Sequence, residues 1–217
     1  MRFVLALTLP LIISMPAGAQ TDAQKLAGAV VTFAANPEHR KVVTGVAIDI
    51  FKKLQQCDAG NIQSVAPPEV FGPLTSLSID AQGNLTAGVI KEAVMIFGCG
   101  KQRIENILTV AANGQLKSVP GLPGASKADP ILARDSMQYA YMGVARKIGQ
   151  CRDVRVIDTK FDEFEGPPNP RAKFQNSGGR PWRETWTVNA CGTLLDTDIH
   201  YIPDETGTGI QSVSAPP

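Results

Sequence analysis

The chain has 217 residues, 43% hydrophobic and 19% charged, with 20 glycines, 16 prolines and four cysteines; 21 Lys and Arg face 20 Asp and Glu, a formal charge of +1. Such a neutral, evenly mixed surface carries no electrostatic footprint for nucleic acid or anionic lipid. Low charge with plentiful Gly and Pro favours a loop-rich, sheet-containing protein over a helical bundle.

The chain opens MRFVLALTLPLIISMPAGAQ. One basic residue, Arg2, precedes an apolar run from Phe3 to Met15, and Ala17-Gly18-Ala19 places small residues where a signal peptidase reads. Residues 1–19 are expected to be a cleaved export signal, too short to span the roughly 20 residues of a membrane helix. The mature chain would start at Gln20 and lose Arg2, leaving acidic and basic residues in balance. No later segment is apolar enough for a membrane span. Behind an export signal, Cys57, Cys99, Cys151 and Cys191 read as disulfides, and no pair has the close spacing that zinc ligands show.

Three helices are expected. Leu26, Val30 and Phe33 mark the first, over about Thr21–Ala34. The second starts at Asn36-Pro37-Glu38, a cap, a first-turn proline and an acid suited to the positive helix end. Val43, Val46, Ala47, Ile50, Phe51 and Leu54 form its apolar stripe, with His39 expected at the surface. The third opens at Asp129-Pro130 and carries Met137, Tyr141, Val144 and Ile148.

Strand-like sequence follows helices two and three. NIQSV is followed by the Pro loop APPEVFGP, and DVRVIDTKF by EGPPNP. Two hairpins come next. LTSLSID turns through Ala81–Asn84 into Thr86–Phe97, and RAKFQ turns through Asn176–Gly179 into Trp182–Ala190. Each long strand then ends at Cys-Gly and returns, as RIENILTV or LLDTDIHYI.

These stretches suggest that the chain is written twice. With Cys99-Gly100 set over Cys191-Gly192, Lys91 falls on Arg183, Glu92 on Glu184, Ile96 on Val188 and Ile107 on Ile199. LQQC ending at Cys57 likewise matches IGQC ending at Cys151. The expected fold is α+β: two duplicated helix-plus-antiparallel-sheet modules, each with one disulfide. Residues 20–118 hold the first helix and first repeat, 129–212 the second repeat, and 213–217 a disordered tail, with the linker GQLKSVPGLPGASKADP between the repeats. Four cysteines allow three pairings, and the repeat argues for Cys57–Cys99 and Cys151–Cys191.

Three groups of residues bear on chemistry. Asp196, Asp198 and His200 alternate along one strand and so share a face. They could ligate a metal, or with Glu184 supply the acid and base of a hydrolase; the alternation of Leu195, Thr197, Ile199 and Tyr201 favours a plain solvent face instead. Glu184 recurs as Glu92, which favours a structural carboxylate partnered by Lys91, Arg183 or Arg180. Trp182 and Trp186 flank Glu184 on one face, an aromatic platform for a sugar or peptide or else part of a core. No nucleophile elbow, phosphate loop or dinucleotide fingerprint occurs.

The pattern Trp182-x-Glu184-x-Trp186-x-Val188-x-x-Cys191-Gly192, with Ile202-Pro203-Asp204 and Gly207-Thr208, resembles uncharacterised exported proteins of proteobacteria. That resemblance covers about thirty residues and implies a periplasmic or secreted home, with no activity attached. The expected function is a non-catalytic binding or scaffolding domain without a cofactor, its small ligand or protein partner lying against a sheet or between the repeats. A metal-assisted or acid–base hydrolase is the alternative.

Overall fold

A computed structural model describes residues 22–71, 76–149, 151–172 and 177–214; the expected export signal lies outside them. Three helices and two antiparallel sheets make an α+β fold. Helix α1 is Asp22–Ala34, α2 Pro37–Gln55 and α3 Pro130–Ile148. Asn36 caps α2 by accepting from the amides of Glu38 and His39, and Asp129 caps α3 by accepting from Ile131 and Leu132. These bonds fill donors that every helix start leaves open.

The first sheet holds β1 (Ile62–Ser64), β2 (Glu69–Phe71), β3 (Ser78–Ile79), β4 (Leu85–Gly98), β5 (Lys101–Ala112) and β6 (Gln115–Pro120). Its order is β1-β4-β5-β6, with β2 and β3 also pairing along β4. The second holds β7 (Val154–Phe164), β8 (Trp182–Ala190), β9 (Thr193–Pro203) and β10 (Thr208–Ser214), in chain order. Each half thus runs from a helix into a meander. The two central hairpins share one register: Glu92 lies opposite Ile107, and Glu184 opposite Ile199. Both turn through Cys-Gly with positive φ, 52° and 71° at Cys99 and Gly100, 50° and 88° at Cys191 and Gly192. Two positive φ angles in a two-residue loop make the turn that matches strand twist.

The disulfides are Cys57–Cys99 and Cys151–Cys191, each joining the chain just past a helix to one of these turns. One face of each sheet is closed by its helices. Val43, Ala47 and Phe51 of α2 pack on Val94, Ile96 and Ile107, while Val30 and Phe33 of α1 pack on Leu85, Ile90 and Ala111. Ala140 and Val144 of α3 close over Trp182, Trp186, Val188, Ile199 and Tyr201.

Several expectations need correction. His39 is buried, because α1 folds over the start of α2 and sets Phe33 4.3 Å from its ring. Tyr141 is exposed, and Ala140 takes its place on the buried stripe. Gln115–Pro120 of the expected linker form β6, entered through Asn113-Gly114 at φ of 52° and 72°. The expected tail residues Val213 and Ser214 pair with β9. Arg171 lies in a turn, residues 173–176 fall outside the described chain, and the strand beside β8 is β7.

Residues 121–128 then stitch the sheets together. Where β6 ends, Gly121 and Gly124 donate to the carbonyls of Asn106 and Ile104 along the free edge of β5. Ala125 donates to the Thr159 carbonyl on the edge of β7, and the Thr159 hydroxyl donates back to Pro123. Arg103 reaches across to the carbonyl of Ile157, the residue that bulges out of the β7–β8 register.

Candidate functional site

The buried face of β8 carries Trp182, Glu184 and Trp186, all 1% exposed or less. The two indoles are core and offer no platform to a ligand. Both point their N–H groups at Glu184: Trp182 at 2.8 Å to Oε1 and Trp186 at 2.9 Å to Oε2. The Lys127 amide donates to Oε1 at 2.7 Å. Three donors satisfy a carboxylate that meets none of the basic side chains expected of it. Tyr201 stacks on Trp182 with centroids 4.4 Å apart. Burial pushes the Tyr201 hydroxyl well above its usual range, and the Glu184 charge adds to the shift.

Glu92, the counterpart of Glu184, meets a different partner. His39 Nε2 lies 2.5 Å from Glu92 Oε2, which ties α2 to the first sheet. The two glutamates share a position and satisfy it with unrelated donors.

Asp196, Asp198 and His200 lie on the opposite face of β9 from the core. Thr187 donates to Asp196, Thr185 to Asp198, and His200 Nδ1 pairs with Glu165 at 2.9 Å. Glu184 projects through the other side of the sheet, so the four residues of the hydrolase alternative do not meet in one cleft. Among the described residues, no three His, Cys, Asp or Glu side chains cluster as metal ligands would.

A concavity lies instead between the halves. Its floor is the face of β4 and β5 turned away from α2, with Lys91, Ala93, Ile104, Asn106 and Leu108. One wall is the stitching segment, with Leu122, Ser126 and Ala128; another is the first turns of α3, with Ala133, Arg134 and Met137; Phe71 of β2 closes a side. Two adjoining lobes of about 220 and 470 Å³ share Phe71, Lys91, Asn106 and Ser126. Asn106 holds one wall by donating to the carbonyls of Leu122 and Gly124, at 2.6 and 2.8 Å.

Lys91 is the cleft's distinctive group. Its side chain is 10% exposed, and its ammonium pairs with Glu69 at 2.8 Å, meets the Ser126 carbonyl at 3.4 Å and lies 5.4 Å from the Phe71 ring centre. A buried ammonium needs such partners to offset lost hydration. Glu69, by contrast, is 56% exposed. From the sequence Lys91 is expected only as a partner for a glutamate. The available signal was a lysine inside an apolar strand run, VIKEAVMIF.

Fold and site together define a two-sheet, disulfide-stapled α+β protein with a cleft at the junction of its halves. Comparison with protein-family models, with curated proteins and with solved structures gives no match. No helix among the described residues is long and apolar enough to cross a membrane.

Proposed function

We propose that this is an exported, non-catalytic binding domain, built by internal duplication, whose ligand site is the cleft between the halves. One observation carries the reading: a nearly buried ammonium, Lys91, sits in a concavity walled by Phe71, Leu108, Leu122, Ala133 and Met137. An apolar pocket with few convergent polar groups is the usual form of a small-molecule site. Two disulfides and the signal-like leader support a periplasmic or secreted home, as does the resemblance of the Trp-x-Glu-x-Trp strand to exported proteobacterial proteins. The shared strand order and hairpin register of the halves support duplication.

The test is fluorescence titration with 8-anilinonaphthalene-1-sulfonate, a probe with an apolar body and one negative charge. The oxidised chain should bind it saturably, and Met137→Glu, which places a charge in the α3 wall, should abolish binding while the fold persists. Equal binding by the variant would remove the cleft from consideration.

A further inference from the structure

The class of ligand can be taken one step further, on the reading that the cleft is a binding site. We infer that it takes a monoanionic carboxylate with a short apolar tail, whose head group replaces Glu69 on Lys91.

The argument starts from the ammonium. Lys91 projects from the middle of β4 into the region shared by both lobes. Of its polar contacts, the Ser126 carbonyl belongs to the stitched backbone and is fixed. Glu69 belongs to the three-residue strand β2 and leaves more than half its side chain in water. An exposed carboxylate keeps much of its hydration when it swings free, so the ion pair is held weakly from that side. A ligand carboxylate entering at Lys91 supplies the same charge-assisted bond. Its tail would gain the apolar lobe lined by Leu108, Leu122, Ala133 and Met137, which Glu69 does not fill.

Charge complementarity points the same way. The cationic side chains lining the two lobes are Lys91, Lys127 and Arg134, against the one carboxylate of Glu69. Lys127 holds its ammonium 4.7 Å from the Phe161 ring centre, and Arg134 pairs with Asp135 at 2.9 Å. Of the three, only Lys91 lines both lobes, so it is the cation aimed at the ligand, with the others biasing the field. A cationic amphiphile would meet Lys91 as a like charge, and a neutral one would leave the Lys91–Glu69 pair in place without adding a partner.

Calorimetric titration of the oxidised full chain with octanoate, octanol and octyltrimethylammonium tests this. Octanoate should bind saturably, octanol at least about tenfold more weakly and the cation not at all, since the discrimination rests on one charge-assisted contact. Glu69→Gln removes the internal competitor and should tighten octanoate about tenfold, a direction that simple loss of stability does not produce. Lys91→Gln should weaken it about tenfold, with circular dichroism confirming the fold. Octanol binding as tightly as octanoate, or Glu69→Gln leaving octanoate unchanged or weaker, overturns the carboxylate class. Failure of all three ligands where the anilinonaphthalene probe still binds in the cleft overturns the ligand class and spares the binding reading; failure of the probe as well ends both.

Discussion

Lys91 and Glu184 grip opposite ends of a single peptide unit. The carbonyl of Ser126 meets the Lys91 ammonium, and the amide of Lys127, in the same plane of atoms, donates to the Glu184 carboxylate. The cation sits at the negative end of the peptide dipole and the anion at the positive end. One residue comes from the first sheet and the other from the second, so this peptide fixes the junction on which the cleft depends. Asp129 caps α3 two residues later, which sets the cleft's helical wall from the same anchor.

Replacing Glu184 by Gln tests the second anchor. Glu184 Oε1 accepts from Trp182 and Lys127, and Oε2 from Trp186. A carboxamide has one oxygen, so its NH₂ must face at least one of these N–H groups. Glu184→Gln should lower unfolding free energy by about 3 kcal/mol, the cost of a buried donor left unpaired beside a lost charge-assisted bond. Urea denaturation followed by tryptophan emission gives the measurement, and an unchanged midpoint would contradict the three-donor assignment.

The disulfides make a second expectation. They close 42- and 40-residue separations. Loops of that length contribute about 4 kcal/mol each in the chain-entropy model. The Cys57→Ser/Cys99→Ser and Cys151→Ser/Cys191→Ser pairs should therefore lower stability by similar amounts, measured by chemical denaturation. A near-zero loss in either pair would locate its stabilisation elsewhere.

The helices, the disulfide pairing and the α+β class were legible in the sequence because their signals are local. Helix caps at Asn36 and Asp129, period-3.6 stripes and the doubled Cys-Gly turn each depend on neighbours a few residues away. The same locality explains the failures. His39 reads as a first-turn surface residue until α1 folds over it. The Trp182–Glu184–Trp186 face alternates as a binding strand and a core strand both do, and only α3 packing decides between them. The cleft is the extreme case: Phe71, Lys91, Asn106, Leu122 and Met137 are spread over more than sixty positions and meet through tertiary stitching. Asn113-Gly114 was a legible hairpin turn hidden by the prolines that follow it.

Acid stability should show two opposed slopes. Burial is the largest influence on Glu105 and raises its pKa above the ordinary 4.5, with the Arg103 hydrogen bond and charge opposing it and Asp158 adding to it. The folded state then holds a proton that the unfolded chain has released. Stability falls as pH rises from about 4.5 through the raised folded value. Asp80 and Asp204 are shifted the other way, Asp80 chiefly by the Asn84 amide and Asp204 chiefly by the Thr206 hydroxyl. Their contributions are complete above the ordinary 3.8 and vanish as pH falls through their lowered values. Urea midpoints from pH 3 to 7 in Glu105→Gln should lose the upper slope and keep the lower one. Persistence of the upper slope would assign it to another group.

The junction itself is tested at Gly124. It holds φ at 88°, a conformation that residues with a Cβ rarely adopt. A Cβ there would lie 2.1 Å from the Thr159 carbonyl oxygen and 2.5 Å from its nitrogen, so the clash is with backbone on the edge of β7. A shift of the segment toward β5 would drive the Gly124 amide, already 2.8 Å from the Ile104 carbonyl oxygen, into that strand. Gly124→Ala should therefore cost about 2–4 kcal/mol through strain and lost bonds. The loss should fall on the coupling between the halves more than on the α2 core, which lies on the far face of the first sheet; Leu122 and Ala128 of the stitch adjoin the α3 core. Hydrogen exchange should show faster opening at Ala125 and Gly121, with Ile107 and Ile199 still protected. Binding of the anilinonaphthalene probe should weaken in parallel, since the same displacement moves Ser126 off Lys91 and opens the cleft wall. Uniform acceleration across both sheets would instead mean that the halves unfold as one unit and that the stitch is no separate joint.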